Sequence, residues 1–135
     1  MPLFEWKDEY SVSVLRFDRE HQKLFNLINE LNDAMAEGRG RFVAVRVLRE
    51  LSEYARWHFS GEESAMRRAG YPDLEQHIAE HETFVKTVNG YYEQYSGGQS
   101  GIPIDLLYFL RDWLTKHILE SDRRYAESLN KAGIH

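Results

Sequence analysis

The sequence predicts an all-α protein, an up-down-up-down four-helix bundle preceded by an extended N-terminal arm. In four stretches of the chain, apolar residues recur at spacings of three and four, the period of a helix with one buried face. Segments with glycine or proline separate these stretches, and the connections are short enough to make consecutive helices antiparallel neighbours. The length of 135 residues suits a single domain over 1–135, with the arm at 1–17 and the bundle at 18–131.

The first helix is expected to follow the arm, because the apolar residues of 12–17 show no helical period. Asp18 is predicted to be its N-cap, and Gly38 and Gly40 are predicted to end it. The apolar stripe of this helix consists of Leu24, Ile28, Leu31 and Met35.

A second helix is predicted over about 41–69, where the segment 70–72 breaks it and Asp73 can cap the third helix. Residues 96–101 read as a loop, and Pro103 suits the first turn of a fourth helix. The apolar stripes of these three helices comprise Val47, Leu48, Leu51, Tyr54 and Ala55 in the second; Leu74, Ile78, Phe84, Val85, Val88, Tyr92 and Tyr95 in the third; and Leu107, Leu110, Leu114, Ile118, Tyr125 and Leu129 in the fourth.

Charge and composition exclude several classes of function. The net charge of -5 and the pI near 5.7 argue against a nucleic-acid partner or an anionic membrane surface. No stretch is long and apolar enough for membrane insertion, and the first residues do not resemble a signal peptide. The absence of cysteine excludes disulfides, thiolate zinc sites and iron–sulfur clusters, and it fits the cytoplasmic location that we expect.

Five of the six histidines lie on apolar stripes, and together the four helices direct imidazole into one core. These histidines are His21, His58, His77, His81 and His117. A single inward histidine is usually a core residue with a satisfied hydrogen bond, but five unpaired imidazoles would each cost about 1–3 kcal/mol. A shared metal removes that cost, since neutral imidazole is a common ligand of iron, zinc and copper.

Two carboxylates extend the same stripes. Glu62 lies four residues after His58, on one side of the helix, and Asp122 shares a stripe with Tyr125. Five nitrogens and two carboxylates exceed the ligand set of one metal, whereas two metals bridged by both carboxylates would use all seven; iron suits this set better than zinc, calcium or magnesium. The neighbouring acids Glu63 and Asp112 are expected to be ordinary surface residues.

The spacing of His117 and Asp122 predicts an irregularity in the fourth helix. Five residues turn an α-helix through about 500°, which leaves the two side chains roughly 140° apart. A π-bulge, with its wider turns, would return both to one side, and no proline or glycine between them offers another explanation. We therefore predict a π-bulge or kink between these residues.

Four segments contain the histidines and Glu62: DREHQKLF at 18–25, HFSGEE at 58–63, HIAEH at 77–81 and WLTKHI at 113–118, with Asp122 beyond them. In these segments the sequence resembles the hemerythrins, in particular the single-domain bacteriohemerythrins, and the resemblance covers essentially the whole chain. It implies two iron ions joined by a bridging hydroxide or oxo group and reversible binding of molecular oxygen. It also implies the following roles: His77, His81 and His117 on one iron, His21 and His58 on the other, Glu62 and Asp122 as bridges, and Trp113, Leu114 and Ile118 around the oxygen.

Two other functions compete with oxygen storage, delivery or local supply. A di-iron enzyme could act on oxygen, peroxide or nitric oxide, but the oxidases of ferritin-like bundles use carboxylate-rich sites, and here the donors are mostly histidine. No further acid or base stands out as a catalytic group, so we predict that the chain is not an enzyme. An oxygen or redox sensor would need a protein partner, for which the arm around Phe4 and Trp6 is one candidate surface.

Overall fold

The computed structural model describes residues 4–36, 41–97 and 104–135. Every regular element within these ranges is helical, which confirms the all-α prediction. Gly38, Gly40 and Pro103, together with most of the loop predicted at 96–101, lie outside the described residues. Within the described ranges no helix is both long enough and apolar enough to cross a membrane.

Four long helical stretches form the bundle and agree closely with the apolar patterns. Helix α1 spans Leu15–Ala36, α2 spans Arg41–Ala69 and α3 spans Leu74–Ser96. The fourth stretch consists of α4 (Ile104–Lys116), a π-helical segment (His117–Asp122) and α5 (Arg123–Lys131). Helix α1 packs against α2 and α4, and α2 packs against α3. Helix α3 contacts α4 through the rings of Phe84 and Trp113, as expected of a four-helix bundle.

The break between α2 and α3 lies where the sequence places it. Gly70 has a φ of 69°, in the left-handed region that glycine adopts without strain, and Tyr71 N–H donates to the carbonyl of Met66. Asp73 precedes α3, although its side chain makes no capping hydrogen bond. Such a tight reversal brings α2 and α3 side by side along their length.

The π-helical segment His117–Asp122 confirms the predicted irregularity. Its extra residue in the turn carries both end residues into the interior, where His117 and Asp122 are buried. The helix continues as α5, whose Tyr125 and Leu129 are also fully buried. A regular α-helix here would have turned one of the two polar residues away from the core.

The N-terminal arm packs on its own bundle. It is mostly extended, with one 3₁₀ turn at Asp8–Tyr10. The ring of Phe4 stacks on that of Phe25, with ring centroids 4.1 Å apart. The Asn29 side chain accepts from the Phe4 N–H at 2.7 Å and donates to the Phe4 carbonyl at 2.9 Å. The arm around Phe4 is therefore occupied by intramolecular contacts.

The predicted cap at Asp18 is wrong by about one turn, since α1 begins at Leu15 and Val14 holds the cap position. The Asp18 carboxylate does not receive hydrogen bonds from the following helix. It accepts them from the arm instead, from the Ser11 hydroxyl at 2.6 Å and from the Val12 N–H at 2.8 Å. Asp18 thus joins the arm to the first turn of α1, which a reading of helix caps alone could not reveal.

Replacing Asp18 with alanine should destabilise the fold by about 1–3 kcal/mol, because the buried Val12 N–H would lose its acceptor. Urea unfolding of the metal-free protein would measure the change. Asp112→Ala is the matched control, since that exposed carboxylate pairs with the neighbouring Arg111 at the surface and its loss should change the free energy of unfolding by less than about 0.5 kcal/mol. Equal midpoints for the two variants would contradict the role given to Asp18.

Candidate metal centre

All seven residues that the sequence singled out as metal ligands lie in one buried cluster at the centre of the bundle. Each helical stretch contributes at least one of them, and none is more than 4% exposed. The members are His21 from α1, His58 and Glu62 from α2, His77 and His81 from α3, and His117 and Asp122 from the ends of the π-helical segment. The side chains form two groups that could each hold a metal ion. One group consists of His77, His81, His117, Asp122 and Glu62, and the other, the two-histidine group, consists of His21, His58 and Glu62.

Glu62 lies between the two sets of histidines. Its Oε2 is 3.2 Å from His21 Nε2, and its Oε1 is 3.2 Å from His58 Nε2 and 3.4 Å from His81 Nε2. The hydroxyl of Tyr125 donates to the same Oε2 at 2.5 Å. One carboxylate therefore faces ring nitrogens of both groups, as a bridging ligand must.

Asp122 occupies the equivalent position on the opposite side. Its Oδ1 lies 2.8 Å from His77 Nε2 and 3.1 Å from His117 Nε2. Its Oδ2 lies 3.1 Å from His21 Nε2. Asp122 thus reaches histidines of both groups with different oxygens, whereas Glu62 reaches both groups with Oε1.

Six side-chain nitrogen and oxygen atoms of the ligand candidates are buried without a hydrogen-bond partner among the described residues. They are His21 Nδ1, His58 Nε2, His81 Nε2, His117 Nε2, Glu62 Oε1 and Asp122 Oδ2. At about 1–3 kcal/mol for each unpaired group, the set would cost as much as the whole stability of a typical domain. Five of them belong to the nitrogens and oxygens that face one another at 3.1–3.4 Å without hydrogen-bond alignment. Lone pairs that converge in this way fit metal ions, whereas the buried His21 Nδ1 has no such explanation.

Electrostatics in the metal-free cluster favours ion pairs. Burial lowers the pKa of His117, but the nearby negative charges, that of Asp122 above all, outweigh burial and raise that pKa to about 10. Burial likewise opposes protonation of His21, yet the close carboxylates of Asp122 and Glu62 raise its pKa to about 9. Although burial favours the neutral acids, the imidazoles hold the pKa values of Glu62 and Asp122 well below their usual range. Without metal, protons on His21 and His117 therefore balance the charges of the two carboxylates.

Outside the cluster, three further carboxylates contact the other nitrogen of a histidine. Glu20 Oε1 lies 2.6 Å from His58 Nδ1, and Glu63 Oε2 lies 2.7 Å from His81 Nδ1. A looser contact of 3.4 Å joins Glu80 Oε2 to His117 Nδ1, and Ser121 donates to the other oxygen of Glu80. Carboxylates in this position orient a histidine and fix which nitrogen faces a metal.

None of these three acids is predicted from the sequence as a partner of histidine, and the assignment of Glu63 to the surface is wrong. The Glu63 side chain is only 22% exposed because it turns back toward His81. A signal was available, since each acid follows a buried residue by three or four positions, as Glu63 follows Phe59. Asp112, by contrast, is exposed as expected.

Of the three residues predicted to surround oxygen, Trp113 contacts the cluster directly. The ring of Trp113 stacks on that of His117, with centroids 4.5 Å apart and planes within 14°. Leu114 and Ile118 are fully buried on the helical stretch that carries His117. The oxygen pocket itself stays a prediction from the sequence.

Comparison with known proteins places this arrangement in a family. The hemerythrin HHE cation binding domain model matches residues 13–129. The bacteriohemerythrin of Clostridium acetobutylicum is 34% identical over 131 residues, covering 93% of this chain and 100% of that protein. That of Methylococcus capsulatus is 32% identical, covering 96% and 99% respectively. A crystal structure of wild-type hemerythrin, 32% identical, gives a TM-score of 0.88 over 94% of this chain and 98% of that one.

These similarities extend over nearly the whole of both chains, and the structural match covers the same helices that supply the histidine cluster. The chain belongs to the hemerythrin family.

Proposed function

We propose that this chain binds molecular oxygen reversibly at a di-iron centre held by the seven clustered side chains. The observation that carries the proposal is the pair of carboxylates, Glu62 and Asp122, each of which faces histidines of both groups. Reversible oxygen binding at two irons is the activity for which the hemerythrin family is known. Storage, delivery and local supply of oxygen are all compatible with it.

The histidines divide unequally between the two positions. We assign His77, His81 and His117 to one iron and His21 and His58 to the other, with Glu62 and Asp122 shared. The two-histidine position has one fewer protein donor, so it is where a small ligand would bind. A bound iron pair would supply an open coordination position and two electrons that return to it when oxygen leaves.

The protein's own contribution is to exclude water and to hold the ligands. All seven side chains are nearly inaccessible, and the apolar side chains of Leu114 and Ile118 are fully buried on the helical stretch that carries His117. We propose that these two residues and Trp113 form the oxygen pocket. Such surroundings would hinder water and protons from displacing the bound gas.

The composition of the donor set supports binding over catalysis. Five imidazoles and two carboxylates give fewer anionic donors than the carboxylate-rich oxidase sites of ferritin-like bundles. The remaining acids near the cluster, Glu20, Glu63 and Glu80, already contact histidines. We therefore propose a carrier rather than an enzyme. A cytoplasmic location and a protein partner for oxygen delivery or signalling stay predictions from the sequence.

Iron-loaded protein should contain about two irons per chain and should bind oxygen reversibly. Anaerobic reduction, exposure to air and purging with argon, followed by optical spectroscopy, would test this. Colour should appear with oxygen and disappear on purging over repeated cycles. Irreversible bleaching, or steady consumption of reductant with oxygen, would favour the enzyme instead.

Two variants test, in the same experiment, whether iron binding depends on the clustered histidines and not on a histidine elsewhere in the chain. His77→Ala removes a buried ligand candidate and should lower both the iron content and the amplitude of the oxygen-dependent colour. His135→Ala removes an exposed histidine at the C-terminus and should change neither. Full iron loading of His77→Ala would contradict the ligand assignment.

Metal uptake by the metal-free protein should release protons, and its affinity should rise with pH. His21 and His117 have pKa values of about 9 and about 10 in that state, so both are positively charged imidazolium at neutral pH. A metal ligand must be neutral imidazole, which makes the proton a competitor of the metal. Calorimetric titration with Zn²⁺ in buffers of different ionisation enthalpy would count the protons. An affinity that stays constant between about pH 6.5 and about pH 8.5 would contradict this reading of the cluster.

A further inference from the structure

The three outer carboxylates differ in their surroundings. Glu20, which contacts His58, has a side chain only 7% exposed, whereas those of Glu63 and Glu80 are 22% and 37% exposed. The contact between Glu20 and His58 is also the shortest of the three, at 2.6 Å. His58 therefore has the least hydrated carboxylate partner, and it belongs to the two-histidine group.

A cation holds the second oxygen of Glu20. Arg16 Nε donates to Glu20 Oε2 at 2.8 Å, one helical turn away on α1. The guanidinium of Arg16 also lies over the rings of Phe17 and Trp57, at 5.4 Å and 5.6 Å from their centroids. Glu20 is thus shared between His58 on its inner side and a fixed positive charge on its outer side.

Helix α2 leaves space for that charge at Gly61. A Cβ atom at this position would lie 2.7 Å from Arg16 Nη2 and 3.4 Å from Arg16 Cζ, so any side chain would force the guanidinium to move. Glycine in a helix interior is unfavourable relative to alanine, and here it directly precedes the bridging candidate Glu62. The close approach of Arg16 gives a physical reason for a glycine in the middle of a 29-residue helix.

We propose that Arg16, Glu20 and His58 form a positioning unit for the two-histidine iron, the one that binds oxygen. This inference rests on the proposed function. Glu20 accepts from the Nδ1–H of His58, which fixes the tautomer and directs Nε2 toward Glu62 and the metal position. Arg16 holds Glu20 in place and withdraws part of its negative charge from the imidazole.

The two ends of the unit have opposite effects on the iron. A carboxylate bonded to Nδ1–H makes the histidine a stronger donor, which favours oxidised iron. Glu20→Gln removes that charge and should raise the reduction midpoint potential of the centre. Arg16→Met leaves the whole carboxylate charge on His58 and should lower it. Gly61→Ala should shift the potential in the same direction as Arg16→Met, since it displaces the guanidinium while keeping a good helix former in α2.

The experiment compares the midpoint potentials of iron-loaded wild type and these three variants, with the iron content of each. Glu53→Gln and Arg56→Met make the same charge changes on the exposed face of α2 and are the matched controls. Glu20→Gln should also weaken one of the two metal-binding steps by about 10- to 100-fold. In proton NMR of the reduced protein, the exchangeable Nδ1–H signal of His58 should move in Glu20→Gln and stay in place in Glu63→Gln.

Opposite shifts for Glu20→Gln and Arg16→Met, both larger than those of the controls, would support the unit. Shifts of the same sign, or shifts no larger than the controls, would overturn it. If Glu20→Gln fails to load iron, the comparison of Gly61→Ala with Arg16→Met decides, because both retain Glu20. If wild type loads iron and binds oxygen reversibly, but the variants have the same midpoint potential as wild type, the positioning unit alone is refuted. If wild type neither loads iron nor binds oxygen reversibly, the proposed function is refuted as well.

Discussion

Two carboxylates buried among five imidazoles are the constraint on which the rest of this bundle depends. Glu62 and Asp122 are fully buried, and a charge in such a place is tolerated only with close partners. Those partners come from every helical stretch of the bundle, so the helices cannot slide or rotate past one another without separating a charge from its counterion. In the metal-free chain these carboxylates raise the pKa values of His21 and His117, and metal ions would replace the protons on those two histidines. Apolar packing alone would permit many helix registers, but this cluster permits few.

Local structure gives way to this constraint in two places. The fourth helical stretch becomes π-helical over His117–Asp122, which brings both end residues to the interior despite their spacing of five. In α2, glycine stands at position 61, where the side chain of a better helix former would clash with the guanidinium of Arg16. Both features are locally unfavourable, and both lie within one residue of a ligand candidate. Such departures from ideal helices are common at functional sites.

The sequence predicted the parts of the structure that follow from periodicity. Apolar spacing located the helices, and the mismatch between a spacing of five and the α-helical turn predicted the π-helical segment. It could not reveal Asp18 as a link to the arm, because that role depends on where residues 11 and 12 fold back. The prediction for Glu63 failed because a carboxylate at the edge of a buried stripe can either face water or turn inward. The position of His81 on the neighbouring helix decides between these two orientations, and the sequence does not give that position.

The same geometry explains why a small chain can hold a gas-binding metal pair. The bundle supplies mostly neutral donors, closes the site with core side chains, and places charged residues such as Glu20 and Arg16 around it. Anomalous diffraction at the iron edge, from crystals of iron-loaded protein, would locate the metal ions directly. It should show two iron peaks inside the bundle, one beside His21 and His58 and one beside His77 and its neighbours, with both bridging carboxylates between them. A single peak, or iron only at the protein surface, would contradict a di-iron centre held by these seven side chains.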